Sequence, residues 1–159
     1  MNAIPLVVMA CLLFGAFIAL WLGERLRAVA VQSLANRSGL HYLGSALPRS
    51  LTLEGTQFQR VSKVWNVIDG EPRGVRIIAF DCRVGMGRGS WRRTVIAIEA
   101  GAEFSQAVPF NPDMTIESAG KWKILYRPKA FVNIRIAGLM PVEELEAYVN
   151  SVRAKAVNE

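Results

Sequence analysis

"KWKILYRPKAFVNIRIAG", residues 121–138, carries the period that decides the fold. Ahead of Pro128, Trp122, Ile124 and Tyr126 take one side and Lys121, Lys123 and Arg127 the other; behind it, Val132, Ile134 and Ile136 oppose Asn133 and Arg135. Successive strand side chains point to opposite faces, so the alternation describes antiparallel sheet with one face on a core and one in water.

Working outward, the same period recurs upstream. "SLTLEG", "SKVWNVID", "GVRIIAFDCR", "WRRTVIAIEA" and "DMTIES" read as further strands, separated by turn-forming Asp69-Gly70, Gly85 to Gly89, Asn111-Pro112 and Ala119-Gly120. Downstream, "PVEELEAYVNSVRAKAV" changes to a helical period. Pro141 suits a first helical position, Glu143, Glu144 and Glu146 crowd the first turns, and Arg153 and Lys155 stand near the end, so the charges complement the helix dipole. Val142, Leu145, Val149 and Val152 form the stripe that packs on the sheet. Residues 39–159 are therefore expected to form one α+β domain: an antiparallel sheet or roll of six to seven strands, packed by a C-terminal helix.

Before the sheet lies a different kind of sequence. No charged side chain occurs in residues 1–23, and "IPLVVMACLLFGAFIALWLG", residues 4–23, is almost wholly apolar. Twenty residues at about 1.5 Å rise reach roughly 30 Å, the hydrocarbon thickness of a bilayer. Trp21 falls where an indole sits at the interface. A cleaved signal peptide is the rival, with Ala28-Val29-Ala30 as its cleavage site, but no Lys or Arg precedes the run and Glu24, Arg25 and Arg27 intervene. "ERLRAVAVQSLANRSG" carries no proline and ends at Ser38-Gly39, so one helix is expected from about Ala3 to Ser38. Its residues 24–38 form a juxtamembrane helix whose stripe Leu26, Ala30 and Leu34 rests on the domain or on a partner helix. Arg25, Arg27 and Arg37 closely follow the span, which puts the N-terminus outside and the domain in the cytoplasm of an inner or plasma membrane. Cys11 in the span and Cys82 in a strand cannot build a disulfide framework.

The order of antiparallel strands and a closing helix over residues 62–157 resembles the pleckstrin-homology-like roll. The texture of "LANRSGLHYLG", then "VIDG" and "GVRIIAFD", is similar to short, single-pass membrane-anchored bacterial proteins of uncharacterised families. Neither resemblance implies an activity.

Chemistry is sparse. "RVGMGRGSWRR", residues 83–93, lacks the terminal Gly-Lys-Ser/Thr and following helix of a Walker loop, has Ser90 where a dinucleotide fingerprint needs glycine, and is not followed by the catalytic motifs of a kinase. It reads as a hairpin connection. The single histidine, His41, and one cysteine outside the span furnish no zinc set, and Asp81 and Cys82 point to opposite faces of a strand. Trp65, Trp91 and Trp122 lie on separate strands and read as core or sheet aromatics. No metal or cofactor is expected.

Charge stands out. Residues 24–93 hold twelve Lys or Arg against five Asp or Glu, whereas residues 94–159 hold seven against eight. A basic surplus beside a span suits anionic headgroups. The tether and the lack of a recognition motif disfavour nucleic acid. The expected binding residues are Arg83, Arg88, Arg92, Arg93, Lys121 and Lys123. The expected function is a single-pass, membrane-anchored binding or assembly module, an accessory part of a membrane complex rather than an enzyme. Its partners are the bilayer, through residues 4–23, a protein in the membrane and anionic lipid. An anionic-lipid or phosphate-binding domain is the alternative, and an enzyme uniting scattered groups such as Asp69, Asp81 and His41 is the second.

Overall fold

Strong helix formers with no proline after Pro5 propagate one uninterrupted helix, α1 (Ile4–Ser38), about 52 Å long at 1.5 Å per residue. The computed structural model describes residues 4–87, 90–100, 113–128 and 138–155. Within them, Val7–Ser38 is long and apolar enough to cross a membrane, and residues 7–26 of it are exposed. The helix stops where Gly39 turns left-handed and the Leu40 N–H reaches back to the Ala35 carbonyl at 2.8 Å.

The sheet follows as β1 (His41–Gly44), β2 (Val61–Gly70), β3 (Ile77–Val84), β4 (Trp91–Glu99), β5 (Thr115–Ala119) and β6 (Trp122–Tyr126). All neighbours are antiparallel, in the order β1-β2-β3-β4-β6-β5. The chain meanders through the first four strands, lays β5 at the far edge and returns as β6 beside β4. A closing helix, α2 (Val142–Lys155), completes an α+β fold.

Both faces of the sheet are buried at its centre. On one, Ile68, Ile77, Ala79, Ile96, Ile98 and Leu125 meet Val31, Leu34 and Ala35 of α1 and Leu145, Val149 and Val152 of α2. On the other, Phe58, Phe80, Val95, Trp122, Ile124 and Tyr126 pack together beneath Leu47, Leu51 and Leu53. The one-dry, one-wet sheet expected from the lysine side of β6 is thus corrected: Leu125 breaks that polar row and is buried under the helices. "SLTLEG" is corrected too. Its alternating leucines belong to a turn-rich segment, tied by the Thr56 hydroxyl donating to the Leu53 carbonyl at 2.7 Å, that covers the second face instead of extending the sheet. β1, in turn, is a strand the sequence pattern did not mark. The helical stripe expected in α2 is as observed, with Leu145, Val149 and Val152 buried and Val142 partly so. Most of "FVNIRIAG" lies outside the described residues.

The C-terminal part of α1, residues 24–38, presents a different stripe from the one expected. Leu34 is buried, but Leu26 is 68% exposed, and the inward face is Arg27, Val31, Leu34, Ala35 and Ser38. A charged residue on the inward face sets this rotation, and its partner lies in the sheet.

Candidate functional site at the helix–sheet junction

Asp81 sits on the helix-facing side of β3, in register with Ile77 and Ala79, and is 2% exposed. A carboxylate so placed needs charge and donors, because water cannot reach it. Arg27 of α1 supplies both. Its Nε donates to Oδ2 at 2.7 Å and Nη2 to Oδ1 at 2.8 Å, a two-pronged pair that matches the planar guanidinium to the planar carboxylate. The same guanidinium donates to the Met140 carbonyl at 2.8 Å and to Thr94 Oγ1 at 3.0 Å. Thr94 donates its hydroxyl to Asp81 Oδ1 at 2.7 Å and accepts the Met140 N–H at 2.9 Å.

Asn66 completes the set. It lies where the β2–β3 register shifts between Trp65 and Ile68, at φ 53°, a left-handed conformation that asparagine tolerates better than most residues. From there Nδ2 donates to Asp81 Oδ2 at 2.8 Å, while Oδ1 accepts the Tyr42 hydroxyl at 3.2 Å. Burial, and secondarily the charge of Asp81, hold the Tyr42 phenol above its ordinary pKa. Groups from α1, β1, β2, β3, β4 and the segment before α2 thus converge on one carboxylate. The sequence did not mark Arg27 as the partner of Asp81, 54 positions away. The available signal was that both charges fall on otherwise apolar inward stripes.

Directly beside this network, Trp21, Arg25, Lys63, Trp65, Arg83 and Arg92 wall an open cleft of about 270 Å³ between α1 and the sheet, with Glu24 on its helix side. Arg92 pairs with Glu24 at 2.7 Å and lies over the Trp65 ring, 5.5 Å from its centroid; Lys63 approaches the same ring at 5.9 Å. Of the six residues expected to bind, the structure gathers Arg83 and Arg92 here.

The others are elsewhere. Arg93 points to the opposite face, buried, lying over Trp91 with its centroid 4.8 Å away; burial lowers its guanidinium pKa. Its expected exposure is corrected, because the residue after Arg92 on a strand must face the other way. Lys121 pairs with Glu99 at 2.6 Å and Lys123 donates to Ser118 Oγ at 2.8 Å. Lys123 stands opposite Ile98, six residues along β4 from Arg92 and so roughly 20 Å away. Arg88 lies outside the described residues. "RVGMGRGSWRR" does join β3 to β4, with Val84 opposite Trp91. Cys82 faces away from Asp81 into the second core, where burial pushes its thiol up to about 12. His41 is exposed, opposite Asp69.

No family model, curated protein or solved structure matches this chain.

Proposed function

We propose that the chain is a single-pass, membrane-anchored binding and assembly module whose folded part lies on the cytoplasmic side. The observation that carries this reading is the Arg27 clamp. It fastens an unbroken helix, apolar enough to span a bilayer over its first part, into the core of the domain that follows. A flexible tether would let the domain roam; a buried, bidentate ion pair fixes its height and its facing surface relative to the span. That geometry suits a module that presents one surface at a constant depth. Arg25, Arg27 and Arg37 after the span support the cytoplasmic orientation through the positive-inside rule.

Leu22, Leu26 and Val29 supply the assembly surface. They recur at helical spacing on α1 and remain exposed where the helix leaves the apolar run, a pattern that fits a neighbouring membrane helix. The test combines topology with proximity. Full-length chain should resist alkaline carbonate extraction from membranes, and a reporter fused after residue 159 should behave as cytoplasmic. A photo-crosslinker at Leu26 or Val29 should capture a membrane protein that the same group at exposed Gln32 does not. Release by carbonate or export of the reporter would overturn the anchor or its orientation, and equal capture from all three positions would remove the assembly surface.

A further inference from the structure

The cleft beside the clamp is assembled against its own electrostatics. In register, Lys63 stands opposite Arg83, and Arg83 opposite Arg92, so three cations form one row across β2, β3 and β4. Opposed strand residues hold their Cβ atoms about 4.5–5.5 Å apart, and like charges at that spacing repel. Arg25 adds a fourth cation from α1. The carboxylate lining the cleft, Glu24, is engaged by Arg92, and Asp81 behind it is matched by Arg27. Among the described residues, neither Arg83 nor Lys63 has a carboxylate partner.

Several cations elsewhere in the domain do have a carboxylate: Arg37 pairs with Glu146, Arg76 with Asp69, Lys121 with Glu99 and Arg127 with Glu144. In the cleft, by contrast, four cations share one surface with a single carboxylate, and an anion entering it would relieve the repulsion. Depth argues for the kind of anion. The cleft begins at Trp21, in the last turn of the apolar run, where indoles sit at the level of headgroups. Arg25 lies over that indole at 5.2 Å. Beyond the cation row, the β3–β4 hairpin carries Met86, 89% exposed, toward its tip.

We propose that this cleft binds the phosphate of an anionic phospholipid headgroup, held by Arg83, Arg25 and Lys63, with Arg92 poised between the ligand and Glu24. The proposal rests on reading α1 as a membrane anchor. Guanidinium groups fork onto phosphate oxygens with two donors each, and the ammonium adds a point charge. The indoles of Trp21 and Trp65 offer apolar walls to the glycerol portion of the lipid.

The full-length chain in mild detergent is mixed with short-chain phosphatidylglycerol, short-chain phosphatidylcholine or inorganic phosphate. Native mass spectrometry counts bound molecules while the melting temperature is recorded. Phosphatidylglycerol should bind preferentially as a single molecule and raise the melting temperature, as any ligand selective for the folded state must. Lys63→Gln with Arg83→Gln should weaken binding about tenfold or more, since charge-assisted hydrogen bonds are lost. Lys121→Gln with Lys123→Gln makes the same change in net charge away from the cleft and should leave binding intact. Without lipid, the Lys63/Arg83 variant should melt no lower than the parent, because the substitution removes repulsion. Equal losses in the two double variants, no preference over phosphatidylcholine, or a lower lipid-free melting temperature of the cleft variant would each overturn the site. Inorganic phosphate binding as tightly as the lipid would overturn the headgroup assignment. Carbonate extraction reports on the anchor separately: release of the chain removes the anchor and the headgroup with it, while retention without lipid preference removes the headgroup alone.

Discussion

Replacing Arg27 with alanine removes four hydrogen bonds at once: two to Asp81, one to Thr94 and one to the Met140 carbonyl. Asp81 keeps the Thr94 hydroxyl and the Asn66 amide as donors but loses its only counter-charge in the network. Its side chain is 2% exposed and that of Arg27 15%, so water cannot replace the guanidinium without opening the helix–sheet contact. Breaking a buried pair from one side costs about 3–5 kcal/mol, a large fraction of the roughly 5–15 kcal/mol that holds an ordinary domain together. Urea unfolding of the full chain in detergent, followed through the fully buried Trp122, would read this as a lower midpoint. Asp81→Ala should fall in the same range. The double variant should cost less than the sum of the singles, leaving a coupling of about 2–3 kcal/mol. Raising salt should barely alter the coupling, since ions do not screen a buried pair. A loss below about 1 kcal/mol for Arg27→Ala, the range of exposed ion pairs, would mean that the clamp is solvated and that α1 is not fixed to the domain.

Other outcomes follow from the same packing. Leu145→Ala, in the α2 stripe against the sheet, should cost about 2–5 kcal/mol by urea midpoint, and a cost near zero would detach α2 from the core. Gly138→Ala should lower the melting temperature, because a Cβ there would sit 1.9 Å from the Arg92 carbonyl oxygen and force apart the Thr94 N–H contact to the Gly138 carbonyl; an unchanged melting temperature would refute that close approach. The Cys82 thiol ionises near 9 when unfolded but only at about 12 when folded. Its contribution is therefore intact below pH 9 and lost as pH rises toward 12, so Cys82→Ala should flatten the alkaline decline measured by fluorescence, and an identical decline would place its cause elsewhere. Leu13→Arg should weaken insertion by about 2.5–3.5 kcal/mol on translocon scales, read as a larger carbonate-soluble fraction; an unchanged fraction would argue against a span through that position.

Much of the architecture was legible because it rests on local periods. The helix from Ile4 to Ser38 follows from uninterrupted helix formers and a Ser-Gly stop, and α2 from a stripe at helical spacing. β2, β3, β4, β5 and β6 each announced themselves by strand-like runs between turn residues. β1 did not, because four residues are too short to show a period. "SLTLEG" misled for the converse reason: Leu51 and Leu53 alternate because they cover a sheet face, and covering requires apolar side chains whether or not the backbone is extended.

The candidate site was legible only in part, since charge is a property of composition and geometry is not. The basic surplus of residues 24–93 follows from counting, and it pointed to Arg83 and Arg92. Which cations share a surface depends on strand register: one position along β4 separates Arg92, beside α1, from Arg93, buried on the far face. Lys63 joins them because β2 pairs with β3, and Arg25 because α1 is rotated to bring Arg27 onto Asp81. That rotation could not be read from α1 alone, where Leu26, Ala30 and Leu34 make as good a stripe as Val31, Leu34 and Ala35. A buried carboxylate 54 residues away breaks the tie, because leaving it unpaired would cost more than exposing Leu26 to solvent.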